Sequence, residues 1–197
     1  MKNKQHTITF NLTRCGVLSA IACILFLPIF EIPVVAFYKL DFSTFPAILA
    51  GFAMGPIQAF FVILIKDLFH LTMTSTGGIG ELADFLMSCA YVIPASLIYQ
   101  RIKSKKSALI SMIFGSISMT IIACFINNYI MIPLYQNFMP IEAIIAMGTK
   151  VLPFVNSQTE LILYITAPFN IIKGVALSTV TYLLYKRISP LLHSKKV

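Results

Sequence analysis

The stretch LIYQRIKSKKSALI, residues 97–110, decides the fold. Apolar residues run up to it and away from it, and Arg101, Lys103, Lys105 and Lys106 crowd between them. A second basic cluster, Lys2, Lys4 and Arg14, stands at the N-terminus, and a third, Lys186, Arg187, Lys195 and Lys196, at the C-terminus. These clusters hold 11 of the 15 Lys and Arg residues, and all seven acids lie elsewhere. Lys and Arg beside apolar helices stay on the cytoplasmic side of a bilayer. The pattern therefore predicts that both termini and the loop near residue 103 are cytoplasmic.

Composition agrees. The 197 residues are 58% hydrophobic with a mean hydropathy of +0.86, far from the balance of a soluble domain. About 20 apolar residues cross roughly 30 Å of hydrocarbon, so five or six spans use the whole length and residues 1–197 form a single membrane domain. A net charge of +8 would suggest nucleic acid on a soluble face; flanking apolar helices, it does not. Cys15, Cys23, Cys89 and Cys124 lie in apolar spans without a Cys-x-x-Cys pair, which argues against both a disulfide framework and a metal site. The segment SAIAC before Cys23 resembles a lipoprotein cleavage site, but Ala20 stands where Leu is usual, and an uncleaved first helix is expected.

Six spans are predicted, making an all-α polytopic protein. They cover about residues 11–30, 43–54, 57–73, 81–99, 108–132 and 161–185. Gly55-Pro56 breaks the short second span away from the third, Pro133 ends the fifth, and Pro168 kinks the sixth. Outer loops hold the Gly-rich TSTGGIG and a longer segment, 134–160, with a short amphipathic helix near 142–147. An even number of spans returns both termini to one side.

Ionisable groups within spans cost about 2.5–3.5 kcal/mol each on insertion scales. Here they are Lys66, Asp67, His70, Glu81, Asp84 and Lys173. All but Lys173 fall in the outer half; Lys173 lies about 20 Å of helix beyond Glu160, with Asn170 on the same face. Asn127 and Asn128 close the fifth span. These residues describe a polar pocket that opens outward, with Asn128, Asn170, Lys173 and Glu81 converging from three spans. The alternative for Lys173 is a buried ion pair with Glu81 or Asp84. Asn127 reads as a helix bridge, Lys66 and Asp67 as structural, and His70 as a lone structural or interfacial histidine. Phe37, Tyr38, Phe42 and Phe45 surround Lys-Leu-Asp in the first outer loop, either as an interfacial aromatic belt or as a lid over a planar ligand. Small residues four apart on the first span, Gly16 with Ala20 and Ser19 with Cys23, suit close helix packing, within the protein or against another membrane subunit. No G-x-x-x-x-G-K-[ST] loop, H-E-x-x-H motif or nucleophile beside a His occurs, so no catalytic residue is assigned and a transporter built this way would need its energy from elsewhere.

Four segments in order, KLDFSTFPAILAGFAMGP, STGGIGELADFL, NNYIMIPLY and PFNIIKG, resemble the S-components of energy-coupling factor (ECF) transporters, most of all the riboflavin-specific type. The resemblance runs from about residue 12 to 187. It implies a six-helix, non-enzymatic protein in a bacterial cell membrane that captures a vitamin from outside. It also implies a membrane coupling subunit and two cytoplasmic ATPases as partners, and toppling in the bilayer to release the ligand inwards. The pocket residues it implies are Asn128, Asn170, Lys173 and Glu81, with Leu40 and Phe42 closing the top. The first-helix face of Gly16, Ser19, Ala20 and Cys23 is similar to the family's docking motif. Asp67 and Asp84 stand where riboflavin-type members often carry Asn, which favours riboflavin over a phosphorylated flavin. Asn amides read a flavin edge by donating and accepting, Lys173 donates to carbonyls and Glu81 accepts from ribityl hydroxyls. Other readings are a carrier of thiamine, pantothenate or FMN, an intramembrane enzyme using Glu81, Asp84 or Lys173, and a structural assembly protein.

Overall fold

The computed structural model describes residues 2–35 and 38–192. Phe37, Lys195 and Lys196 lie outside the described residues, as do the side chains of Lys2, Lys4, Lys186 and Arg187. The chain is mostly helical, with α1 at Lys2–Leu25, α2 at Phe45–Ala53, α3 at Pro56–His70, α4 at Ile79–Arg101 and α5 at Lys105–Ile126. Shorter helices follow, α6 at Ile132–Tyr135, α7 at Ile141–Thr149 and α8 at Gln158–Leu161, and then the long α9 at Ala167–Leu192. The all-α expectation needs one addition: β1 (Ile32–Val35) and β2 (Tyr38–Leu40) pair antiparallel with Ile32 opposite Leu40 and Pro33 opposite Lys39. This ribbon occupies the connection between α1 and α2.

Among the described residues, four helical runs are long and apolar enough to cross a membrane: Pro56–Met73, Ile79–Arg101, Lys105–Tyr135 and Gln158–Leu184. The apolar part of the first helix, Thr9–Leu25, is shorter, and α2 has only nine residues. Yet α2 is buried along most of its length. Pro46 starts it, and Gly55 ends it at φ +115°, a conformation that side chains resist. The carbonyls exposed by that early stop find a donor inside the protein, because the Gln100 Nε2 amide bonds Gly51 O and Phe52 O, both at 2.9 Å. A broken helix can lie at membrane depth only when protein satisfies its ends in this way.

Pro133 does not end the fifth span. A π-turn, Asn127–Met131, precedes it, with the Ile132 N–H reaching back to Asn127 O, and helix continues to Tyr135. The same device precedes Pro168, where the π-turn Ile162–Thr166 has the Ala167 N–H on Ile162 O. In both places the sequence is Tyr-x-x-x-Pro (Tyr129 to Pro133, Tyr164 to Pro168). Proline has no N–H and its ring presses on the carbonyl four residues back, so a wider turn relieves the clash. Extra residues of this kind recur at functional sites, and these two turns touch each other.

The main core packs Ile48, Phe52, Ile63, Tyr91, Met112 and Leu177 among α2, α3, α4, α5 and α9. A second, smaller core joins Ile132, Ile144, Val155 and Leu161. Outward faces are also apolar, with Val17, Ile57, Phe61, Ile117 and Val175 all about half exposed or more. A protein apolar both inside and out is built for lipid.

Candidate functional site

Between α3, α4, α9 and the turn that follows α5, beneath the β-ribbon, lies a cavity lined by charged, amide and apolar side chains. Glu81, Asn170 and Lys173 line it as expected, together with Asn127, Tyr38, Asp41, His70, Thr76 and Asp84. Five elements and two loops bring these residues together from across the chain.

Lys173 on α9 donates to Asp41 at 2.9 Å and to Asp84 at 2.7 Å. Lys66 on α3 donates to Asp67 at 3.0 Å and also to Asp84. Asp84 on α4 thus bridges two buried ammonium groups, and the ion-pair alternative for Lys173 is the arrangement found. Asp41 is itself fixed by a turn in which the Ser43 N–H donates to its Oδ1 at 2.8 Å, with the Ser43 hydroxyl on the same oxygen. Buried charges need such partners, since an unpaired one costs several kcal/mol.

Glu81, just inside the start of α4, accepts from the Thr74 hydroxyl at 2.8 Å and faces His70 Nδ1 at 2.9 Å. An ionised carboxylate only accepts, and the Nδ1–H tautomer of His70 is the one that donates to it. His70 Nε2 stands 3.5 Å from Glu31, whose other oxygen takes Lys39 Nζ at 2.6 Å. His70 is therefore not a lone histidine. It lies between Glu81, which it hydrogen-bonds, and Glu31, to which its Nε2 makes no hydrogen bond; its ring stacks on Phe26 at 4.0 Å, and Phe26 also lies under Lys66 Nζ. Its place three and four residues after Asp67 and Lys66 put it on their helix face, a signal the sequence contained.

The two adjacent asparagines divide the work. Side chains one residue apart on a helix do not face the same way. Asn127 takes the cavity side: its Oδ1 accepts from Tyr38 Oη at 3.0 Å and its Nδ2 donates to Ala123 O at 2.9 Å. Asn128 lies outside the cavity wall, where its Oδ1 accepts from Gln158 at 2.8 Å and ties the fifth span to α8. Asn170 lines the cavity, its Nδ2 on Thr166 O at 2.9 Å. Tyr38 closes the group from above, its hydroxyl 2.6 Å from Thr166 Oγ1 and its ring stacked on Phe169 at 4.9 Å. Burial pushes the Tyr38 phenol above its usual range, so it stays a neutral donor. Leu40 and Phe42 do not line the cavity. Leu40 pairs with Ile32, and the turn at Asp41 sends Phe42 into the main core. Lys39 and Asp41, their chain neighbours, line it instead.

Of the four small residues on α1, Gly16 and Ala20 are exposed, while Ser19 is buried and Cys23 is half-buried. Gly16 has no heavy atom within 4 Å of where a Cβ would stand. The exposed pair forms a smooth strip on the outer face, and Ser19 belongs to packing within the protein.

A cavity lined by charged and amide side chains, inside a helical body whose outward faces are apolar, is what a membrane carrier of a small solute needs. The chain belongs to the family described as ECF transporter, substrate-specific component, whose model matches residues 10–185; it is a transport protein and not an enzyme. It is 34% identical over 190 residues to the riboflavin transporter RibU of Staphylococcus aureus (strain TCH60), covering 96% of this chain and 93% of that one. It is 28% identical over 185 residues to the riboflavin transporter FmnP of Bacillus subtilis (strain 168), covering 92% and 93%. Among solved structures, the S component of a bacterial ECF transporter matches with a TM-score of 0.73 and 31% identity, over 94% of this chain and 98% of that one.

Proposed function

We propose that this chain is the riboflavin-binding S-component of an ECF transporter in a bacterial cell membrane. The observation that carries it is the cavity itself, in which Asn127, Asn170, Glu81 and Lys173 meet under Tyr38, on a chain a third identical to a named riboflavin transporter. The isoalloxazine ring has carbonyl and N–H groups along one edge, and asparagine amides complement both. Ligand entry exchanges part of the internal bonding of Lys173 and Glu81 for contacts to the flavin and its ribityl hydroxyls. Residues 1–197 act as one domain with six membrane segments, counting the short α2, and with both termini and the 101–106 loop in the cytoplasm.

The wall disfavours a phosphate. Lys39 and Lys173 line the cavity with Glu31, Asp41, Glu81 and Asp84, so carboxylates outnumber ammonium groups and repel a phosphate dianion. Riboflavin fits better than FMN. Release inwards requires the coupling subunit and two ATPases, because the chain has no nucleotide motif. Gly16 and Ala20 offer the flat strip on which a coupling-subunit helix can pack, and toppling of the whole body turns the cavity inward.

The test is titration of the full chain in detergent with riboflavin, FMN and thiamine, read by quenching of flavin fluorescence and by calorimetry. Nanomolar riboflavin binding, about 12 kcal/mol, with weaker FMN and no thiamine binding is expected. Thiamine binding without riboflavin binding overturns the assignment.

A further inference from the structure

On the outer face of the body, between α5 and α9, runs an open apolar groove. Leu109, Ile113 and Ile117 form one wall and Ile171, Val175 and Leu183 the other, each between 42% and 69% exposed. Beneath it the helices close tightly, for a Cβ on Gly174 would stand 2.6 Å from Ser116 Oγ. The groove also holds four aliphatic hydroxyls, and each is already engaged. Ser116 bonds Met112 O at 2.9 Å, Thr120 bonds Ser116 O at 2.9 Å, Thr179 bonds Val175 O at 2.8 Å, and Ser178 meets Tyr91 Oη at 2.8 Å. An occupant that needs hydrogen bonds gains little here, while a hydrocarbon chain leaves no polar group stranded.

One end of the groove is strongly basic. Lys105 Nζ lies 4.6 Å over the ring of Tyr182, which lines the groove. Arg101, Lys103 and Lys106 are within four residues of it, and no acid occurs between Asp84 and Glu142. From Leu109 to Ile121 the groove follows about 18 Å of helix, close to the roughly 15 Å depth of one leaflet's hydrocarbon.

We propose that this groove binds an anionic phospholipid from the leaflet on the side of the 101–106 loop, one acyl chain between α5 and α9 and the phosphate on Lys105. The site is separate from the vitamin cavity and rests only on the chain spanning a bilayer. A net negative headgroup gains from each nearby cation, about fivefold in affinity per residue, so phosphatidylglycerol outcompetes phosphatidylcholine with identical chains.

The test is native mass spectrometry of the delipidated full chain in detergent, with equimolar phosphatidylglycerol and phosphatidylcholine added. One retained phosphatidylglycerol, favoured at least fivefold, is expected. Lys105→Ala reduces that preference about fivefold, and Ile117→Trp, which fills the groove, reduces retention of both lipids. Circular dichroism and melting curves establish that both variants are folded, without reference to vitamin binding. Equal retention of the two lipids, or retention unchanged in the folded Lys105→Ala and Ile117→Trp proteins, overturns the proposal. So does a lipid-free dimer whose contact maps to Val175, which would assign the groove to a second copy of the chain.

Discussion

Lys173 Nζ on α9 and Asp84 Oδ1 on α4 meet at 2.7 Å inside the helical body, and the other oxygen of the same carboxylate holds Lys66 of α3. One carboxylate thus joins three helices. Asp84→Ala leaves both ammonium groups short of compensation, and removing one partner of a buried pair costs about 3–5 kcal/mol. A large drop in melting temperature of the purified protein is expected, with riboflavin binding lost. The double variant Asp84→Ala/Lys173→Ala should be less damaging than the sum of the single changes, because it also removes one orphaned cation. Additive losses would show that the pair is not coupled.

Glu81 is held by Thr74 and His70 before any ligand arrives. Glu81→Gln keeps an acceptor but removes its charge, and hydrogen bonds to charged groups are worth about 1.5–3 kcal/mol. Riboflavin affinity should fall roughly tenfold or more with the fold retained. His70→Ala removes only the support, so a smaller loss is expected, seen in the same fluorescence titration. A larger loss for His70→Ala than for Glu81→Gln would make the histidine the ligand contact.

The depth of the site was readable from the sequence because an ionisable residue in hydrocarbon is expensive, and Lys173, Glu81 and Asn170 all line the cavity. What could not be read was pairing. Whether Asn127 or Asn128 faces inward depends on the phase of the helix, and the π-turn beginning at Asn127 shifts that phase by one residue. The ribbon was equally hidden: Glu31 and Lys39 are eight residues apart, and they meet only because Pro33 and Lys39 fall opposite each other in it. The short second span expected over residues 43–54 is the nine-residue α2, but its dependence on Gln100 to complete its end could not be read from chain order.

Tyr38 fastens the ribbon to both π-turns, through Asn127 on one side and Thr166 on the other. Tyr38→Phe keeps the stacking on Phe169 but removes the hydroxyl. The net value of such a bond is about 0.5–1.5 kcal/mol, so riboflavin should dissociate about two- to tenfold faster, with its association rate little changed. Stopped-flow fluorescence separates the two rates. A change confined to association would place Tyr38 at the entrance and not in the closure.

Gly115 and Gly16 separate internal packing from docking. A Cβ on Gly115 would stand 2.6 Å from the Tyr91 backbone carbonyl, so Gly115→Ala must push α5 away from α4; core overpacking costs about 1–3 kcal/mol, and a lower melting temperature is expected. Gly16 faces open space. Gly16→Leu should therefore leave melting temperature and riboflavin affinity of the isolated chain unchanged. In the assembled transporter the same bulk stands on the exposed strip with Ala20, where small residues allow close approach of another helix. Co-purification with the coupling subunit and riboflavin uptake by proteoliposomes should then fall sharply. If Gly16→Leu assembles and transports normally, the coupling subunit docks elsewhere on the body.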